Sequence, residues 1–225
     1  MVLSSHSKME HTKHKTGVWL SEFTEPYYEF TGADFQVTLA SPAGGRPPID
    51  PLSELKENSG SANSRFEHDE IAKKAFEHTQ MLHLVSPQDY DAVFYPGGHG
   101  PIWDLATDEV SGRLILDFYN SGKPVGAVCH GPAALIKAAE LQPGFLVGKN
   151  IAAFTNMEEM MLHRANHIPY QLQSRLEELG ARVRSALIPF MSHVVTDGLL
   201  ITGQNPASAG PTAKALIRML DQEDS

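Results

Sequence analysis

The chain has 225 residues, 27 of them acidic and 18 basic, for a formal net charge of −9 at pH 7. That balance argues against nucleic acid as a partner, because such binding rests on Lys and Arg neutralising phosphates. A single cysteine excludes an internal disulfide framework, no apolar run approaches membrane-spanning length, and the opening residues are too short for a signal-peptide core, so one domain over residues 1–225 in the cytoplasm is expected.

Residues 1–4 read as a short first strand that begins at the chain start, and residues 18–22 fit either a helix or irregular chain. Residues 35–40 alternate between Gly32 and the run Ser41-Pro42-Ala43-Gly44-Gly45, as a strand does. Residues 49–65, rich in Ser, Asn, Pro and Gly, predict a surface excursion. A helical pattern over 67–79 puts Ile71, Ala75 and Phe76 on one face. Residues 92–95 form a strand that runs into Pro96-Gly97-Gly98-His99-Gly100. A helix over 108–119 follows, with Gly122 placed to end it. Next come a strand ending at Cys129, a strand over 151–154 and a helix over 169–179 stopped by Gly180. Residues 182–186, 194–195 and 199–202 read as strands, the last two joined by Asp197-Gly198, and a helix over 208–220 closes the pattern.

Strands alternating with amphipathic helices imply an α/β fold with a largely parallel sheet covered on both faces. Asp197-Gly198 signals a small antiparallel hairpin within it. In open sheets of this kind ligands bind beyond the carboxyl ends of the strands, where both Cys129 and the Gly97-Gly98 turn fall.

Cys129 stands where an apolar run turns through His130 and Gly131 into the helix-like stretch opened by Pro132. A thiol at a strand-to-helix corner meets backbone N–H groups and the positive end of a helix, which predicts a partly accessible thiol that ionises readily. His130 is the natural base for it, since imidazole titrates near neutrality, although adjacency in sequence does not by itself bring two side chains together.

Four segments in order, Thr16-Gly17-Val18-Trp19-Leu20-Ser21-Glu22, Tyr95-Pro96-Gly97-Gly98-His99-Gly100, Ala127-Val128-Cys129-His130-Gly131-Pro132 and Thr202-Gly203-Gln204-Asn205-Pro206-Ala207-Ser208, resemble the ThiJ/PfpI superfamily. The resemblance is to its class I glutamine-amidotransferase-like branch of heat-shock chaperones with glyoxalase III activity. It spans nearly the whole chain and implies a flavodoxin-like sandwich, usually homodimeric. It makes Cys129 the nucleophile, places Glu22 facing it, and aligns Glu159 as the third member of a triad with His130, Glu158 being the alternative one residue away. The backbone N–H groups of Gly98 and His130 are the candidates for holding the oxyanion that carbonyl attack creates. A carboxyl in apolar surroundings has a raised pKa, which would let Glu22 shuttle a proton. Glu25-Pro26 departs from the branch, where His-Pro is common.

The implied activity is conversion of a small 2-oxoaldehyde, methylglyoxal or glyoxal, to a hydroxyacid with no cofactor. The same nucleophile would serve a cysteine hydrolase or amidase, and a holdase chaperone or thiol redox sensor is a reading of another class. The histidines His6, His11 and His14, and the pair His163 and His167, lack a cysteine or a His-Glu-x-x-His pattern, so no metal is expected. Trp19, Trp103, Tyr27 and Tyr28 are expected as core or pocket walls.

Overall fold

The computed structural model describes residues 1–10 and 12–223. Its strands in chain order are β1 (Ala40–Ser41), β2 (Gln80–Met81), β3 (Val93–Tyr95), β4 (Val125–Val128), β5 (Asn150–Ile151), β6 (Arg182–Val183), β7 (Val194–Asp197) and β8 (Leu200–Gly203). Its helices are α1 (Leu20–Gly32), α2 (Ser61–His68), α3 (Glu70–Glu77), α4 (Glu109–Asn120), α5 (Ala134–Leu141), α6 (Asn156–Met161), α7 (Leu172–Glu178) and α8 (Ala209–Glu223).

Side-chain alternation along the central strands builds two cores. Val93, Tyr95, Val125, Ala127 and Leu200 face one way, into a core shared with Ile115 and Phe118 of α4 and Leu135 of α5. Phe94, Val128 and Ile201 face the other way, against Phe30 of α1 and Ala213 and Leu216 of α8. Each such fully buried large side chain contributes about 1.5–3 kcal/mol relative to exposure. Helices therefore cover both faces, α4 with α5 on one and α1 with α8 on the other.

The four-stranded sheet has the order β3-β4-β8-β7, parallel except for the β7–β8 pair. Two further parallel pairs, β1-β2 and β5-β6, flank it. The register aligns Tyr95 with Ala127 and Val128 with Gly203, so β3, β4 and β8 end together. The Gly97-Gly98 turn and Cys129 consequently leave the sheet at one carboxyl edge.

Several elements differ from the sequence expectation. Residues 1–4 form an isolated bridge, Val2 to Ala40, in place of a full strand, with the Val2 N–H donating to the Phe94 carbonyl at 2.9 Å. The pattern over 67–79 is broken at Asp69, whose side chain accepts from the N–H groups of Ile71 and Ala72 and starts a new helix. The break resets the buried face to Ala72 and Phe76 and leaves Ile71 80% exposed. The excursion over 49–65 contains 3-10 turns and the first half of α2, and its Asn63 is buried, accepting from the Thr24 hydroxyl at 2.6 Å. Of the two alternatives open for residues 18–22, Leu20 to Glu22 take the helix, as the start of α1, while Val18 forms a bridge with Ile49; α1 carries Pro26 in its interior, where proline removes an N–H.

Gly122 and Gly180 stop their helices as expected. Lys123 N–H donates to the Phe118 carbonyl and Ala181 N–H to the Leu176 carbonyl, the closure that a left-handed glycine permits. The β7–β8 turn is Gly198-Leu199, one residue later than the dipeptide suggests, since Asp197 itself pairs with Leu200.

Candidate active site

Cys129 is one of the few non-glycine residues with positive φ, at 60°, because the chain must turn sharply from β4 toward α5. The strain is held by two flanking bonds, Cys129 N–H to the Gly203 carbonyl at 2.9 Å and Phe154 N–H to the Cys129 carbonyl at 3.0 Å. Sγ lies 3.4 Å from Nδ1 of His130, and Nε2 of His130 lies 2.8 Å from Oε2 of Glu159. Donation of the Nε2 proton to the carboxylate leaves the Nδ1 lone pair facing the thiol, the tautomer a base requires.

Glu158 and Glu159 divide the work at the start of α6. Glu158 forms a capping box with Thr155 and also accepts from Phe190 N–H, the Gln204 amide and the Asn205 amide. Glu159, one residue on, turns to the imidazoles. Burial pushes its pKa up, but hydrogen bonds from His130 and His99 outweigh that and hold the carboxyl well below the usual range. Both carboxylates are buried, so neither belongs to a solvated charge pair.

Glu22 of α1 is fully buried and accepts the Gly97 N–H at 2.9 Å through Oε2. Its carboxyl lies against the Cys129 thiol, and Oε1 has no well-formed hydrogen bond among the described residues. Burial raises its pKa to about 8, so at neutral pH this carboxyl is largely protonated. Gly97 and Gly98 are required for this approach: a side chain at Gly97 would collide with Glu22, and Gly98, at φ 88°, is pressed against Gly17 and Trp19. The N–H groups of Gly98 and His130 have no hydrogen-bond partner among the described residues.

The thiol itself differs from the sequence expectation. Cys129 is 3% exposed, and burial, followed by the charge of Glu22 and its neighbours, pushes its pKa well above the ordinary thiol value. Desolvation outweighs the turn dipole here, so the resting site holds a thiol beside a neutral carboxyl.

The site also contains groups that the sequence reading missed. His99, buried at the end of the glycine turn, bonds through Nε2 to Oε1 of Glu159 at 2.8 Å, and its ring lies 4.0 Å from that of His130. Arg164 reaches both His99 Nδ1 and Asp50 Oδ2 at 3.3 Å. The one available signal was the position of His99 in a glycine-rich turn at a strand end. Arg164 and Asp50 come from remote loops and carry no local pattern.

A cavity of about 600 Å³ opens onto Cys129, with Trp19, Glu25, Glu57, Arg164 and Phe190 in its walls. Glu25 accepts from the Gly210 N–H at 3.3 Å, and burial raises its pKa. A second cavity, about 410 Å³ under residues 34–38 and 89–93, contains none of these groups.

Among the described residues the other histidines join no group of three that could hold a metal ion. His6 stacks on Trp103, His14 faces His167, and His11 lies outside the described residues. His163 and His167 follow α6 in turns, so their spacing is not that of a helix face. His99, His130 and Glu159 are the group close enough to share an ion among the described residues, and their facing atoms are bonded to one another.

The DJ-1/PfpI family model matches residues 14–219, which include the corner cysteine, the glycine turn and both glutamates. The chain belongs to the DJ-1/PfpI family. The glutathione-independent glyoxalase HSP31 of Saccharomyces cerevisiae is 29% identical over 215 residues, covering 92% of this chain and 89% of the relative. Among solved structures, the rapid encystment protein of 24 kDa from Francisella tularensis is 36% identical with a TM-score of 0.90, covering 97% of this chain and 96% of that one. Glyoxalase III from Candida albicans is 27% identical with a TM-score of 0.84, covering 96% and 94%. These DJ-1/PfpI neighbours share the flavodoxin-like arrangement of helices around a mostly parallel sheet. No helix among the described residues is long and apolar enough to cross a membrane.

Proposed function

We propose that this protein is a glyoxalase of the glutathione-independent kind, converting a small 2-oxoaldehyde such as methylglyoxal to a 2-hydroxyacid with water and no cofactor. The observation that carries the reading is the fully buried Glu22 carboxyl lying against the Cys129 thiol, a second acid/base group beside the His130–Glu159 pair. Thiol acylation alone needs one base, whereas moving hydrogen between adjacent carbons needs a second acid/base group. The names of relatives over most of the chain support the same class.

In this mechanism Sγ attacks the aldehyde carbon while His130 Nδ1 takes the thiol proton. The oxygen that gains charge is held by the N–H groups of Gly98 and His130, giving a hemithioacetal. Glu22 and His130 then move the C1 hydrogen, as a proton, to C2 through an enediol. C1 is thereby oxidised to a thioester and C2 reduced to an alcohol, so no external redox partner is needed. Water hydrolyses the thioester, releasing hydroxyacid and restoring the thiol. Glu159 keeps His130 in its working tautomer throughout, and the chain acts as one domain.

The homodimer and the cytoplasmic setting belong to the same reading. Met157, Met160, Leu162, Leu187, Ile188 and Met191 are exposed apolar side chains of the kind a second copy would cover. Sizing by light scattering tests the dimer.

The enzyme reading is tested by incubating purified protein with methylglyoxal, without glutathione or added metal, and measuring lactate. Catalytic lactate release that disappears in Cys129→Ala is expected. Stoichiometric loss of methylglyoxal without lactate would replace the enzyme with a thiol sensor.

A further inference from the structure

Glu159 receives two imidazoles, one on each oxygen, and only one of them belongs to the thiol chemistry proposed above. The second, His99, is 3% exposed and is held at both ring nitrogens. An arginine side chain only donates, so the Arg164 contact at 3.3 Å makes His99 Nδ1 an acceptor. The single proton of the neutral ring must then sit on Nε2 and point at Glu159. Burial and the neighbouring His130 lower the His99 pKa to about 4, in keeping with a neutral ring.

The orientation of Arg164 is fixed in turn by Asp50. That carboxylate is fully buried, accepts from Leu52 N–H at 3.0 Å and from the Thr16 hydroxyl at 3.4 Å, and pairs with Arg164 at 3.3 Å. We propose that Asp50, Arg164 and His99 form a hydrogen-bonded relay that fixes the rotation of the Glu159 carboxylate and thereby aims His130 at the Cys129 sulfur. His99 and Arg164 are positioning residues in this account. Each link runs from donor to acceptor without a gap: Arg164 donates to Asp50 and to His99, His99 donates to Glu159, and His130 donates to the other oxygen of Glu159.

The arrangement explains why one carboxylate carries two histidines. A carboxylate held by a single imidazole can swing about its own side-chain torsions. A second donor on the other oxygen removes that freedom, and misplacement of about 1 Å in a catalytic group costs on the order of 10² in rate. The relay also ties three separate loops together, around residues 50, 99 and 164, at the wall of the cavity.

The test contrasts two replacements of His99 that preserve different properties. His99→Gln keeps an N–H near the Nε2 position and discards the ring, whereas His99→Phe keeps the ring and discards the N–H. Two rates are measured: methylglyoxal turnover, and alkylation of Cys129 by iodoacetamide at pH 7. The second rate reads the thiol–imidazole pair whether or not the protein is a glyoxalase, so failure of that functional reading leaves this test intact.

The relay requires His99→Phe to lose about 10²-fold in the alkylation rate and His99→Gln to recover most of that loss. A role in packing alone gives the reverse order and overturns the proposal. Arg164→Met, at a partly accessible residue that threatens folding less, should lower the rate in the wild-type background and do nothing further in His99→Phe. Additive losses in the double variant would mean that Arg164 does not act through His99, which also overturns it. Thermal unfolding of each variant identifies any that fail to fold, and the Arg164 cycle can then be run on His99→Gln.

Discussion

The Cys129 sulfur stands 3.4 Å from Nδ1 of His130, its immediate neighbour in the chain, and the 60° φ at Cys129 is what brings them together. In an extended strand successive side chains point to opposite faces. The left-handed turn at the end of β4 breaks that alternation, at a cost of about 1–3 kcal/mol that the bonds to Gly203 and Phe154 hold in place.

Alkylation of Cys129 should become faster well past the pH at which an ordinary thiol has levelled off. Burial and the surrounding carboxyls favour the protonated thiol. The check is the rate of iodoacetamide labelling against pH, and a plateau reached below the free-thiol value of about 8.5 would show a standing thiolate instead.

Glu22→Gln should lower methylglyoxal turnover by about 10²–10⁴ while preserving the Gly97 contact, since the amide keeps an acceptor oxygen and loses the proton. It should also change how stability depends on pH. The Glu22 pKa is raised on folding, from 4.5 to about 8, so the folded state binds the extra proton. Its contribution is complete below pH 4.5 and lost as pH rises toward 8. Chemical denaturation from pH 4 to 9 should show the wild type losing stability relative to Glu22→Gln across that window. Parallel curves would mean that Glu22 is ionised in the folded protein.

Substituting the adjacent glutamates should separate folding from chemistry. Glu158→Ala strands the donors of Thr155, Phe190, Gln204 and Asn205, and should cost about 3 kcal/mol or more of stability. Glu159→Gln should fold with a smaller penalty and lose most turnover. Denaturation midpoints and kcat together check this, and equal effects in the two variants would contradict the division of roles.

Gly98→Ala should impair both properties at once. Alanine at φ 88° is strained, and its Cβ would push against Gly17 and Trp19, displacing the N–H assigned to the oxyanion. Loss of one such donor costs about 10²–10³ in kcat. Full activity at an unchanged melting temperature would remove Gly98 from the oxyanion site.

The architecture was legible because its signals are local. Short runs buried throughout mark β3, β4 and β8, and Gly122, Gly180 and Gly198 mark where the chain must take a left-handed turn. The corner cysteine and the glycine turn were legible for the same reason, and the register of β3 and β4 brings them to one edge. The protonation state of Cys129 was not legible, because it is set by how deeply α1 buries Glu22 and the thiol together. Nor was the choice between Glu158 and Glu159, which depends on Thr155 claiming one of them as its capping partner. Ile71 was misplaced because Asp69 ends one helix and starts another inside a pattern that scans as continuous.

The walls of the cavity hold Glu25 and Glu57, and the one arginine among them is already neutralised by Asp50, within a chain whose net charge is −9. For the proposed reaction this creates an asymmetry between arrival and departure. An uncharged dicarbonyl feels no attraction to such a cleft, so its encounter rate should be nearly independent of ionic strength. The hydroxyacid is born as an anion inside an acidic enclosure, and repulsion drives it outward. Charge thus enters the cycle only at the step that frees the site for the next molecule.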